Sequence, residues 1–161
     1  MKNYFEIFDL EAKFEIDKPD LESKHLKLQN QIHPDSNDLD DLESSITLNE
    51  AYKTLSDDFL RACYILKLND IDILKDERAI NVDQSTLIEV LELQETISES
   101  SNKELEEIKS KLKSDISSLI KSTSDLINSS SWNQAAQTLV KVKYLKKSLT
   151  DIKKNNRIID D

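Results

Sequence analysis

The chain contains no glycine and only two prolines in 161 residues. Sheet proteins depend on glycine-rich turns, so this shortage argues for helices throughout. It also excludes any phosphate cradle built on a glycine-rich loop. There is one cysteine, Cys63. Alone it forms neither an internal disulfide nor a thiolate metal site. It lies in the apolar run Ala62-Cys63-Tyr64-Ile65-Leu66 and is expected to be buried and unreactive, as in a reducing compartment. Positive charge is scarce as well. The 22 basic residues against 32 acidic ones leave a net charge of −10 and a pI near 4.7. A general nucleic-acid binder needs a basic surface to displace counterions, so that class is disfavoured. No apolar run approaches the ~18 residues of a membrane span. Met1 to Glu11 shows neither a signal-sequence pattern nor an arginine-rich transit pattern. The expectation is a soluble, cytoplasmic chain that binds neither nucleic acid nor membrane.

What remains is a hydrophobic share of 37% and a charged share of 34%, which suits small helical bundles with thin cores and solvated outer faces. The length fits one domain or two small ones. Tyr4 to Leu10 reads as a short helix supplying aromatics to a core. Asp17 caps a second helix, with Pro19 in its first turn. Its apolar face is Leu21, His25, Leu28 and Ile32, and Pro34 ends it. Ser36 to Asp41 is polar loop. The next helix spans about Asp41 to Asp57, with Leu48, Ala51, Tyr52 and Leu55 facing inward, and Leu60 to Leu68 continues as another apolar piece. Asn69 to Gln84 is charged and weakly periodic, a connection between modules. Three antiparallel helices follow. The first carries Leu87, Ile88, Leu91 and Ile97. Ser101 and Glu104 form a capping box for the second, whose stripe is Leu105, Ile108, Leu112, Ile116, Leu119 and Leu126. After a break at Ser129 to Ser131, Trp132, Ala135, Leu139, Val142, Leu145, Leu149 and Ile152 line the last helix.

Little of this supports catalysis. The two histidines, His25 and His33, would stand ~12 Å apart on one helix at 1.5 Å rise per residue, too far to share a metal. His25 falls on the apolar stripe and is expected to be a core histidine with one nitrogen satisfied. Pro34 between His33 and Asp35 does not aim the carboxylate at the imidazole, so the two make a poor acid–base pair. His33-Pro34-Asp35 is either a plain helix stop, with a histidine favoured by the helix dipole, or the trigger of a J-domain, a helical hairpin presenting this tripeptide at its tip.

The flanking residues resemble one J-protein family, the HscB-type co-chaperones of iron–sulfur cluster assembly. The opening Tyr4-Phe5, Phe8 and Leu10 is similar to that family's N-terminus, and Leu28-Gln29 precedes His33-Pro34-Asp35 as it does there. Thr47, Asn49, Ala51-Tyr52 and Thr54-Leu55 follow the pattern of its next helix, and Arg61-Ala62, Tyr64-Ile65-Leu66 and Leu68 that of the one after. Leu87 to Glu95 resembles the segment opening its C-terminal bundle, and Trp132, Ala135-Ala136, Lys141 and Tyr144-Leu145 its last helix. The likeness covers nearly the whole chain in order.

The resemblance implies an all-α fold: a J-domain over residues 1–70, a connection over 71–82, a C-terminal three-helix bundle over 83–154 and a frayed tail over 155–161. It implies a co-chaperone, not an enzyme, with no cofactor and no resident metal, acting as a monomer. His33, Pro34 and Asp35, with Lys24 and Lys27, would contact the ATPase domain of a DnaK-like chaperone, HscA, and stimulate it. Leu87, Ile88, Leu91, Glu92, Glu95 and Tyr144 would bind the cluster scaffold IscU. The stripe 88, 91, 92, 95 suits that role, although the same apolar residues could instead be bundle core. Asn30 and Ser36 stand where the family often has bases, which implies weaker electrostatic docking. Gln94 replaces a frequent arginine. The cysteine-rich extension of some eukaryotic relatives is absent, so the bacterial type is the nearer likeness. Two alternatives remain: a J-protein bringing another client to a general DnaK, and a helical adaptor whose His-Pro-Asp only stops a helix.

Overall fold

The computed structural model describes residues 2–32, 39–75 and 80–159, without the side chains of 155–159. Every regular element among them is a helix: α1 (Tyr4–Ile7), α2 (Lys18–Gln31), α3 (Leu39–Ser56), α4 (Asp58–Leu68), α5 (Gln84–Glu99), α6 (Asn102–Asn128) and α7 (Trp132–Ile159).

Local chemistry sets where these begin. Asn3 and Glu6 cap α1 reciprocally, the Asn3 side chain accepting the Glu6 N–H at 2.9 Å and the Glu6 carboxylate accepting the Asn3 N–H at 3.1 Å. Asp17 accepts the Asp20 N–H at 3.1 Å to start α2, and Asp57 accepts the Leu60 N–H at 2.9 Å to start α4. Ser101 accepts the Glu104 N–H to start α6. Its hydroxyl also donates to the Glu104 carboxylate, where a capping box would have the Ser101 backbone N–H donate.

The ends of α1, α4 and α6 are closed by residues in the left-handed region: Asp9 (φ 51), Asp70 (φ 64) and Ser130 (φ 56). In each, the following N–H reaches back five residues: Leu10 to the Phe5 carbonyl at 2.9 Å, Ile71 to Leu66 at 2.9 Å, and Ser131 to Leu126 at 2.8 Å. This is a Schellman closure, which glycine usually makes. Without glycine, short polar side chains take its place.

The α2–α3 hairpin, α1 and α4 enclose Phe5, Phe8, Leu21, Leu48, Ala51, Leu55 and Leu66. The long α6–α7 hairpin joins the same core through Ile127, Ala135, Ala136, Leu139, Val140 and Val142. A smaller core of Ile97, Leu105, Leu112, Leu145 and Ile152 fills its far end. α4 packs against both α6 and α7, so the first core runs without interruption from one module into the other.

Further features depart from expectation. α7 buries Ala136 and Val140 beside the expected stripe, because it is covered by α6 on one side and α4 on another. Its backbone stays helical to Ile159, where a frayed tail from 155 is expected. Within the connection, Ile73 is 1% exposed and Ile71, Ile80 and Val82 pack on the core. These single anchors have no helical period, so periodicity does not reveal them.

Candidate functional site

The first candidate region is the α2–α3 hairpin. His33, Pro34, Asp35 and Ser36 lie outside the described residues, but the stem that carries them is described. α2 ends at Gln31, and Ile32 turns extended (φ −90, ψ 125) while its N–H still donates to the Gln29 carbonyl at 3.1 Å. Lys24 is held on the stem: it pairs with Asp20 at 3.2 Å and donates to the Asp9 carbonyl at 3.3 Å. Lys27 is exposed.

His25 is buried against the rings of Tyr52 (stacked, centroids 4.0 Å apart) and Phe8 (edge-on, 6.3 Å). Its Nε2–H donates to the Asn49 side-chain carbonyl at 3.3 Å. A carbonyl oxygen only accepts, so the Nε2 carries the proton. This is the satisfied core histidine expected from the stripe.

Other candidate chemistry is closed off. Cys63 is buried, and burial pushes its thiol up to about 12 against the opposing charges of Lys146 and Lys143. It therefore stays a neutral, unreactive thiol at physiological pH. Among the described residues no group of three or more His, Cys, Asp or Glu side chains could hold a metal. None of the described helices is long and apolar enough to cross a membrane.

The second region is α5. Leu87, Ile88 and Leu91 are 42%, 48% and 64% exposed, and Glu92 and Glu95 are exposed beside them. The bundle-core alternative fails for these three apolar residues, because Val90 and Ile97 are the ones buried, with Leu93 half-buried. The helix turns one apolar row inward and a second outward. Its charges are Glu89, Glu92, Glu95 and Glu99, with no base. Lys141 of α7 pairs with Glu89 at 2.7 Å and fastens α5 to α7. Tyr144 is half-buried, three residues along α7 from Lys141 and so on the same side of that helix. Beside this contact a groove of about 580 Å³ opens between α5, α6 and α7, with Leu93, Ile108, Leu112 and Leu145 in its lining.

The expected residues do not include a further exposed apolar row, Leu39, Leu42 and Ile46, at 79%, 58% and 51% exposure. Its signal in the sequence is a three- and four-residue spacing on the side of α3 away from Leu48, Ala51 and Leu55. Starting that helix at Asp41 leaves Leu39 in the loop and hides the pattern.

The architecture and parts of the sequence recur in known proteins. A family model described as the HSCB C-terminal oligomerisation domain matches residues 82–153. The co-chaperone protein HscB homolog of Haemophilus influenzae is 32% identical over 165 aligned positions, covering 96% of this chain and 95% of that one. The iron-sulfur cluster co-chaperone protein HscB homolog of Arabidopsis thaliana is 32% identical across 94% of this chain, which spans 63% of the plant protein's length. Among solved structures, human co-chaperone protein HscB superposes with a TM-score of 0.85 at 26% identity, covering 97% of this chain and 83% of that one.

Proposed function

The chain belongs to the HscB co-chaperone family, and on that premise we propose that it is an iron–sulfur cluster co-chaperone that joins a client to an ATP-driven chaperone. The client is the cluster scaffold, IscU, held on α5 by Leu87, Ile88, Leu91, Glu92 and Glu95, with Tyr144 of α7 beside them. The chaperone is of the HscA or DnaK type, engaged through His33, Pro34 and Asp35, with Lys27 and Lys24 on the α2 face. The chain performs no bond chemistry itself. It raises the partner's ATPase rate when client and chaperone are brought together. The cytoplasm is where it does so.

The observation that carries this reading is the outward row on α5. Three large aliphatic side chains stand in water on a helix whose inward contacts are already made by Val90 and Ile97. An ordered apolar patch bordered by carboxylates suits a partner surface that is apolar at its centre and basic at its rim. Because Lys24 is already paired with Asp20, Lys27 is the base that contributes most to chaperone docking, and that docking has a shallow ionic-strength dependence. One chain holds both surfaces, so a monomer makes the bridge. Sedimentation at assay concentration checks this, since the matched family description names oligomerisation.

The client half is tested by titrating IscU into the wild-type chain and into Leu91→Asp. Loss of at least about tenfold in affinity, with an unchanged melting temperature, is expected for a residue in the centre of an interface. Equal affinity would remove α5 from the binding surface.

A further inference from the structure

Two α2 side chains a turn apart converge on a single atom of α3. His25 Nε2–H donates to Asn49 Oδ1 at 3.3 Å, and the Gln29 side-chain amide donates to the same oxygen at 3.4 Å. The Gln29 backbone carbonyl in turn accepts the Ile32 N–H at 3.1 Å, and Ile32 is the residue before His33. Gln29 thus holds Asn49 of α3 through its side chain and Ile32, the residue next to His-Pro-Asp, through its backbone carbonyl. The His25 end is fixed sideways as well, by the Tyr52 ring stacked on it and the Phe8 edge.

Leu21 is buried at the far end of α2, but near the tip apolar contact restrains sliding along α3 only weakly. Leu28 and Ile32, the last apolar residues of the α2 stripe, are only half-buried. Dispersion contacts are individually weak and tolerate small shifts. A hydrogen bond is directional and weakens steeply when its geometry is lost. Asn49 supplies the directional restraint, and it does so from an exposed position, so replacing it leaves no cavity. From this geometry we infer that Asn49 is a positioning residue for the chaperone-activating tip: it sets the register of α2 on α3, and hence where the tripeptide is presented. The inference rests on the co-chaperone reading for the activity it affects, but not for the register itself.

The test compares Asn49→Leu, which cannot accept a hydrogen bond, with Asn49→Asp, which keeps the acceptor. Tyr64→Phe serves as a control for general destabilisation, because it removes the Tyr64 hydroxyl that accepts the Tyr4 N–H at 2.9 Å, elsewhere in the same module. In steady-state assays of an HscA-type chaperone, Asn49→Leu lowers the maximal stimulation about fivefold, with less than about twofold change in the half-saturating concentration. Asn49→Asp stays within about twofold of wild type and Tyr64→Phe is unchanged. Wild-type stimulation by Asn49→Leu, no rescue by Asn49→Asp, or an equal loss in Tyr64→Phe would each overturn the inference. If the wild-type chain fails to stimulate at all, the co-chaperone reading falls, and amide exchange at Gln31 and Ile32 decides the register claim alone. Faster exchange there in Asn49→Leu, restored in Asn49→Asp, supports it; exchange equal to wild type refutes it.

Discussion

At Asp9, Asp70 and Ser130 the backbone adopts the left-handed conformation that L-residues enter at a cost of roughly 1–2 kcal/mol, least for residues such as Asp and Asn. Glycine carries no such penalty, and its larger unfolded-state entropy offsets only part of the gain. Ser130→Gly should therefore stabilise the chain by about 1 kcal/mol, raising its melting temperature by about 2–4 °C. Ser129→Gly, one position earlier at φ −90, should lower it; a rise in both would mean that chain flexibility, not the φ value, is responsible. Asp58 carries a pH signature. Burial pushes its carboxyl up, but hydrogen bonds and charge from Lys18 and Arg61 outweigh this and hold it below the usual carboxylate value. A lowered folded value means the unfolded state binds protons first as pH falls, so the contribution of Asp58 is complete above about pH 4 and disappears below it. Urea denaturation of Asp58→Asn against wild type should show a difference at pH 7 that shrinks towards pH 3; a constant difference would assign the effect to packing. The caps at Asp17 and Ser101, the buried Cys63 and the satisfied His25 were all legible, because each follows from a residue type at a fixed place in a periodic pattern. The left-handed closures were not, because their usual marker, glycine, is missing.

Helices were legible at the element scale wherever one face is apolar over several turns. α2 and α3 match the expected stripes, although α3 begins at Leu39 rather than near Asp41, whereas α6 buries Leu105 and Leu112 of its stripe together with Thr123, Ser124 and Ile127 outside it. α5 is the instructive case. Leu87, Ile88, Leu91 and Ile97 are all apolar at helical spacings, so the pattern alone does not separate an outward row from an inward one. Packing against α7 makes that choice, and it puts Val90 and Ile97 inside. Stability measurements on the helix should follow the two faces. Ile97→Ala should cost about 2–4 kcal/mol, as truncation of a buried aliphatic does. Leu91→Ala, in water, should stay within about 0.5 kcal/mol. Comparable losses from both would return Leu91 to the core and remove the client surface proposed here.

Across the whole molecule, the two modules of the sequence reading share one hydrophobic core, in which Leu66 and Ile73 lie with Ala135, Leu139 and Val142. Lys146 of α7 sits over the Phe59 ring of α4 at 4.7 Å, and Ser124 of α6 donates to Glu15 at 3.2 Å, which ties the surface of the same junction. Sequence separation hides such contacts: nothing in the α7 stripe says that a second helix covers Ala136 and Val140. Calorimetry should show one cooperative transition, and Leu139→Ala should lower it as a whole, by about 2–5 kcal/mol. Two transitions, of which only the later-sequence one moves, would mean independently folding modules. The shared core joins the stem of the α2–α3 hairpin to α6 and α7, and α5, with the proposed client surface, packs on α7, as a bridge between client and chaperone requires. The most direct test of that account is the steady-state ATPase rate of an HscA-type chaperone, with the wild-type chain or its His33→Gln variant, each with and without IscU. The account predicts stimulation by wild type that IscU amplifies beyond the sum of the separate effects, and none by His33→Gln. Equal rates with the two proteins, or stimulation indifferent to IscU, would contradict it.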